Sequence, residues 1–533
     1  MKNIILIKTF FLLISALLSN NVLAEPTTQT YFCGQYLESM PIQQGGRVKP
    51  LMVHSKEMVK YLTGKTKWEN LSATQVFCLL SLKEMGMESN LKLSAQVDHV
   101  ELKKLLEFKE GTNRIAFDEI DNFEDQMRVA SIKNREETSY GKAIRKLKNQ
   151  LNLYNDIKSG NNWMLPQMNG QQVSWIPVSS FLREEEIVRR KQAGEKDPFK
   201  SLFVESKANY EKYYGSIHGV EYTMEKLRLT SFAMLFAIIA IALLVSVKNT
   251  LYGLVGAGLT VLLQTIYIGF RVYISGRAPI TNMYETVLFS GYGALILSLI
   301  ITAYRKEKLF MIIGLAYNVL TLMMLHFSGG MLNPAISPLV PVLRDNFWLS
   351  THVTTVILSY GAYALSWILA NYILVKNKFG GVSNKDLNYY VDLMYTCLKY
   401  GSVMLAAGLL LGGVWADYSW GRFWGWDPKE TWSLIVLCFY MAILHGKYTS
   451  WITNRLFVPL TAVCFLSVMM AWFGVNYILA SGLHSYGFSE GGAIFLGSFF
   501  AIQLGIVAIF GKPFFTVAKR ESSSTDNISA SAT

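Results

Sequence analysis

Apolar and polar positions are distributed in two different ways along this chain. Up to about residue 226 charged side chains recur every few positions and apolar runs are short. From about Arg228 the chain becomes a succession of apolar runs, most of them of the length a helix needs to cross the ~30 Å hydrocarbon layer of a bilayer. Nine spans are predicted, at 230–247, 251–270, 283–303, 309–327, 348–375, 396–414, 432–446, 456–480 and 491–511. The fold class expected is an α-helical polytopic membrane protein of about nine transmembrane helices, carrying an N-terminal, mostly helical extracytoplasmic domain over 25–226. Within that domain 129–160 reads as helical and 183–200 as a mixed-charge, solvated helix and linker. The tail from Glu521 is polar and expected to be a disordered cytoplasmic extension of 512–533.

Residues 1–24 read as a secretory signal, with Lys2 and Lys8 at the positive end, Phe10–Leu18 as the apolar segment and Val22-Leu23-Ala24 as the cleavage site. An uncleaved anchor is the other reading of the same residues. Either sends the following domain across the membrane. Loop charges agree: with that domain outside, predicted inner segments carry twelve Lys and Arg and predicted outer loops carry five (Arg271, Arg277, Arg344, Arg422 and Lys429). This is the positive-inside bias. It also explains the formal charge of +12 without nucleic acid, and the mean hydropathy of +0.26 fits a membrane protein. Five cysteines are present and no CxxC, which excludes a thiol–disulfide oxidoreductase motif, a paired-cysteine zinc site and a CxxCH haem-attachment site in this chain. Cys33 and Cys78 either pair in an oxidising compartment or remain two thiols.

One stretch is unlike an ordinary span. WADYSWGRFWGWDPKETW, 415–432, holds Trp415, Trp420, Trp424, Trp426 and Trp432, five of twelve tryptophans, together with Asp427, Lys429 and Glu430. The predicted topology makes it an outer loop. His352 lies at the outer end of the fifth span and His484 just beyond the outer end of the eighth, at the same depth. Two imidazoles can take the axial positions of a haem iron, and indoles between them would cover the porphyrin edge. Arg422, Lys429 and Arg344 are donors on the same side for the propionates. His445, ~20 Å along the seventh span, is a buried titratable group and a functional candidate; a histidine capping the inner end of that span is the alternative. His326 reads as interfacial, and His54, His99 and His218 as isolated surface or core residues. Taken singly, the tryptophans form an interfacial belt and the histidines fall where they do by chance. Taken together they point to a planar ligand such as haem.

The segment WGRFWGWDPKETW resembles the tryptophan-rich WWD signature of haem-handling membrane proteins. GRAPITNMYETVLF (276–289), PLVPVLRDNFWLSTHV (338–353) and GLHSY (482–486) are similar to the CcsA/ResC component of system II cytochrome c biogenesis, over roughly 230–511. PIQQGGRVKPLMVHSKEMVKYLTG (41–64) is similar, more weakly, to an extracytoplasmic segment that precedes CcsA in fused CcsBA synthases. The resemblance implies that His352 and His484 ligate haem iron, that His445 is a transmembrane haem ligand, and that Trp415, Trp420, Trp424, Trp426, Asp427 and Trp432 belong to the haem site. It also implies that haem b is bound as substrate. No second transmembrane histidine is found, so a separate CcsB/ResB-like partner is expected, with apocytochrome c as the acceptor and thiol-reducing proteins as further partners.

The implied reaction joins haem vinyl groups to the thiols of a CxxCH motif, as a holocytochrome c synthase (cytochrome c haem lyase) does, in the bacterial cytoplasmic membrane. No residue is assigned a catalytic role. A haem exporter that delivers without attaching, a haem-binding scaffold or sensor, and a transporter of another solute remain as alternatives.

Overall fold

The computed structural model describes residues 32–86, 91–109, 111–133, 138–247, 249–328, 330–339, 345–479 and 492–515. The expected signal at 1–24, Arg344, His484 and the tail from Glu521 lie outside these. The chain divides into two compact units, Met1–Lys226 and Leu227–Thr533.

The first unit is built around helices Leu51–Thr63, Ala73–Ser81, Ser139–Lys158 and Pro198–Tyr214. Each starts where its sequence permits. Ser72 and Gln75 form a capping box, and Asp197 precedes Pro198 at the first helical position. Their apolar faces meet in a core that includes Leu37, Phe77, Phe117, Leu151, Trp163 and Phe203. The mostly helical expectation leaves out four two-stranded antiparallel sheets among the described residues, including the hairpins of Pro41–Gln44 with Arg47–Pro50 and Met164–Asn169 with Gln172–Pro177. Gly45 and Gly46 turn the first of these with φ of 62° and 81°, a conformation that glycine adopts without penalty. Cys33 and Cys78 pair across 45 residues of sequence. Closing a loop of that size stabilises the fold by about 4 kcal/mol on the chain-entropy account. His54 is a core residue: its Nε2 meets Asn162 Oδ1 at 2.8 Å, and burial, with Lys49 nearby, pushes its imidazole down to about 3.

The second unit is all helix among the described residues. We number its helices α1 Leu229–Ser246, α2 Leu251–Ser275, α3 Met283–Arg305, α4 Lys308–Phe327, α5 Thr354–Gly380, α6 Asn384–Trp420, α7 Pro428–Tyr448, α8 Asn454–Met469 and α9 Gly492–Phe510. Each of the nine overlaps a predicted run, but α6 starts at Asn384, twelve residues before the expected 396, and the run expected to 480 is α-helical only to Met469 and continues as a π-helix, Met470–Leu479. Eight are long and apolar enough to cross a membrane, among the described residues, α8 by running on through the π-helix Met470–Leu479. The exception is α7: its 21 residues give ~31 Å, but Lys429 and Glu430 at one end and His445 and Lys447 at the other dilute its hydropathy. Buried amide pairs fasten the bundle, as between Gln264 of α2 and Asn318 of α4 at 3.0 Å.

The tryptophan stretch is not one loop. α6 runs 37 residues, ~55 Å, and carries Trp415 and Trp420 in its last turns before Gly421 ends it with φ of 66°. α7 starts at Pro428. The connection is therefore only 421–427, and the loop expected over 415–432 is helix at both ends.

Candidate functional site

A cavity opens at the end of the bundle where α6 ends and α7 begins. The space between its walls is about 1100 Å3, counting the part that opens outward to solvent. Its walls come from five parts of the chain. The segment 280–283 and Thr286 of α3 make one. Leu349, His352, Val353, Val356, Ile357 and Tyr360 make the second, a stripe at helical spacing along the start of α5. Leu409, Gly412, Gly413 and Trp415 of α6 make the third, and Phe423, Trp424, Lys429, Glu430 and Ser433 the fourth. Trp472 and Asn476 complete it.

His352 is positioned by two features. It sits in a single π-helical turn, Leu349–Val353, that precedes α5 and turns its side chain relative to the helix that follows. It also lies on a glycine face of α6. A methyl group built at Gly412 would come within 2.5 Å of His352 Cε1, one at Gly408 within 2.7 Å of Val356, and one at Gly401 within 2.7 Å of Tyr363. The glycine positions, 401, 408 and 412, mirror the α5 positions, 363, 356 and 352, as antiparallel neighbours should. Small residues thus let the two helices approach closely. His352 Nδ1 donates to the Gly408 carbonyl at 2.8 Å, which leaves the lone pair on Nε2, the tautomer in which imidazole ligates a metal. Its ring meets Trp415 edge to face, with centroids 5.8 Å apart.

The connection 421–427 is fixed by the start of α7. Asp427 Oδ1 accepts from the backbone N–H of Lys429 and Glu430 at 2.9 and 2.8 Å. Glu430 Oε2 accepts from Gly425 N and Asp427 N at 2.7 and 3.3 Å, closing a capping box. Trp424 faces the cavity and meets Trp426 at 85°, centroids 5.9 Å apart. Trp426 itself is 69% exposed and has φ of 59°, a strained conformation for an aromatic residue.

The opposite wall is held by a buried ion pair. Arg271 Nη2 donates to Glu285 Oε1 at 2.6 Å, with side chains 1% and 2% exposed. Glu285 Oε2 accepts from the backbone N–H and the hydroxyl of Thr281, at 2.9 and 2.7 Å, and Asn282 caps α3 through Glu285 N. Ile280, Thr281, Asn282 and Met283 are thereby set against the cavity. Trp472 Nε1 donates to Thr286 Oγ1 at 3.2 Å, and Asn476 donates to the Trp472 carbonyl at 2.6 Å.

Of the expected site residues, the structure brings His352, Trp415 and Trp424 to the cavity. Trp420, Trp426, Asp427 and Trp432 are outside its lining. His445 is elsewhere, exposed in the last turn of α7 with Nδ1 bonded to the Met441 carbonyl at 2.8 Å. His326 bonds the Leu322 carbonyl and Ser231, at 2.7 and 2.9 Å, in keeping with an interfacial role. Tyr360, Trp472, Asn476, Thr286 and the glycine face were not expected. Asn476 carries a signal of its own, an amide inside an apolar run. No cluster of three or more metal-ligating side chains is found among the described residues. An axially ligated iron needs only one ligand per face, so the donor at His352 and the flat indole and apolar walls fit a metalloporphyrin.

Residues 280–484 match the model of the cytochrome C assembly protein family. The chain is 34% identical over 270 residues to the cytochrome c biogenesis protein CcsA of Guillardia theta, covering 45% of this chain and 87% of that one. It is 34% identical over 263 residues to CcsA of Prochlorococcus marinus, covering 44% and 84%. To the protein NrfI of Wolinella succinogenes it is 35% identical over 231 residues, 42% of this chain but only 25% of NrfI.

Proposed function

The chain belongs to the CcsA-type cytochrome c assembly protein family, and from that premise we propose that it holds haem as a substrate in the cavity beside His352 and presents it for attachment to apocytochrome c. The observation that carries this reading is the seating of His352, with Nδ1 fixed to a backbone carbonyl and the ring between Trp415 and the glycine face of α6. His352 would ligate the iron from this cavity, and His484 would supply the second imidazole. The cavity end, with the first unit, faces outward from the bacterial cytoplasmic membrane.

In the attachment step each substrate S–H adds across one vinyl C=C, sulfur bonding the carbon next to the ring and the proton going to the terminal carbon. Haem supplies the vinyl groups when bound. No side chain of this chain acts as nucleophile, because the substrate brings its own thiols. Trp415, Trp424, Leu349 and Ile280 keep the macrocycle flat and exclude water, and positioning supplies the rate. The chain acts as one component of a holocytochrome c synthase. His445, exposed on α7, meets a CcsB/ResB-like membrane partner there and shares a transmembrane haem site with it. Thiol-reducing proteins keep the acceptor cysteines reduced.

The test is to produce the chain with that partner and a CxxCH apocytochrome, and to assay covalent haem alongside the absorption spectrum of the purified chain. A six-coordinate spectrum lost in His352→Ala and His484→Ala, with loss of covalent haem, is expected. An unchanged spectrum in both variants refutes the site. Bound haem without attachment identifies a delivery protein instead.

A further inference from the structure

Lys429 stands where a cation is least welcome. It is the second residue of α7, beside the positive end of the helix dipole, which disfavours a Lys there. It lines the apolar cavity and is half-buried, so it is partly desolvated. No carboxylate among the described residues lies within the 4 Å of an ion pair. The two nearest in sequence are engaged with other donors: Asp427 Oδ1 takes two backbone N–H groups, and Glu430 takes two more and lies 3.5 Å from Arg422. Asp427, two residues before it, attracts the ammonium without forming an ion pair with it, while the helix dipole and partial burial oppose a lysine here, and such conflicts concentrate at functional sites.

An anionic ligand group resolves all three costs at once. Taking the haem reading above as given, we propose that Lys429 is the anchor for a propionate of the bound porphyrin, and that it fixes the rotational orientation of the macrocycle about its iron axis. Axial imidazoles hold the iron but leave the ring free to turn. One charge-assisted bond at the rim removes that freedom, so the vinyl groups meet the incoming thiols in one arrangement. Arg422 is the competing donor. Its guanidinium is drawn to Glu430 and lies over the Trp420 ring at 5.8 Å, and it is outside the cavity lining.

The experiment titrates the full chain, purified free of haem in detergent, with iron protoporphyrin IX and separately with its dimethyl ester, following the Soret band. The wild type is expected to bind the diacid about tenfold or more tightly than the ester, as a charge-assisted bond implies. Lys429→Met should weaken diacid binding alone and abolish the difference. Lys429→Arg should restore most of it, and Arg422→Met should keep it. Equal affinity of the wild type for the two porphyrins overturns the anchor while leaving the haem site standing, and needs no variant. A preference that survives in Lys429→Met, or that disappears in Arg422→Met, also overturns it. A wild-type chain that binds neither porphyrin overturns the haem reading and the anchor together.

Discussion

Gly412→Ala tests the site with one methyl group. The added carbon would lie 2.5 Å from His352 Cε1, against an ordinary carbon–carbon contact of ~3.5–4.0 Å. The imidazole must therefore retreat by about 1 Å. That stretches the 2.8 Å bond from Nδ1 to the Gly408 carbonyl, worth about 1 kcal/mol net, and disturbs packing by about 1–3 kcal/mol. Replacing a helical glycine by alanine returns about 1 kcal/mol. The net loss is about 1–3 kcal/mol, which a bundle of this size tolerates, yet a ligand displaced by ~1 Å no longer meets an iron squarely. The expected result is a folded protein whose haem spectrum changes from six-coordinate toward five-coordinate and whose yield of covalent cytochrome falls by tenfold or more. Gly258→Ala is the control, since a methyl there meets nothing within 4 Å. A Gly412→Ala protein with wild-type spectrum and wild-type maturation would show that the seating of His352 on α6 does not matter.

Asp427 separates a cap from a ligand: Asn caps as well as Asp, so Asp427→Asn should keep both stability and haem, whereas Asp427→Ala should lose about 1 kcal/mol in detergent melts and release the connection 421–427; equal damage in both variants would mean that the charge, not the cap, is needed. Glu285→Gln should destabilise by about 3–5 kcal/mol by leaving Arg271 buried without its partner; a double change of Arg271 and Glu285 to Met should recover part of this, and a silent Glu285→Gln would refute the ion-pair account. Two buried histidines of the first unit give it a pH dependence, His218, held down to about 4 by burial, and more strongly His54, whose imidazole is neutral when folded and ordinary, near ~6.5, when unfolded. The unfolded state takes the proton first, so stability is complete above pH ~6.5 and falls as pH drops toward 3. The His54 share of the loss at pH 5 is about 2 kcal/mol, to be read from denaturation midpoints of the full chain between pH 7 and 4, and His54→Gln should reduce that slope, leaving the part due to His218.

Most helices of the second unit were legible because each is a continuous apolar run, and no competing structure satisfies a backbone in hydrocarbon; the start of α6 was not, because its first turns carry Lys385, Asp386 and Asp392. The hairpins of the first unit were less so. Strands of two to six residues are too short for alternation to rise above composition, although Gly45-Gly46 and Asn169-Gly170 mark two of the turns. The extent of the tryptophan loop was misread for a related reason. Indoles, aspartates and a glycine look like loop material, but only Gly421 stops the helix, and Trp415 continues the apolar stripe that α6 turns toward the cavity.

The site itself was legible in kind and not in construction. Residue type and topology pointed to His352 and to indoles near it, because ligation and stacking depend on side-chain chemistry that the sequence displays. What fixes His352 is a property of a different helix: Gly401, Gly408 and Gly412 read alone as ordinary membrane-helix glycines. They acquire a role only when the antiparallel register sets them against Tyr363, Val356 and His352. That register depends on how α5 and α6 pack, and no local pattern carries it. The same holds for Lys429, which the sequence offers only as one of three outer-side donors and which stands apart from Arg422 once the cap beside it is seen to occupy Asp427 and Glu430. A functional residue in this family of folds is therefore better sought where local rules conflict, as at a cation on a helix N-terminus facing an apolar cavity, than where a residue type alone suggests chemistry.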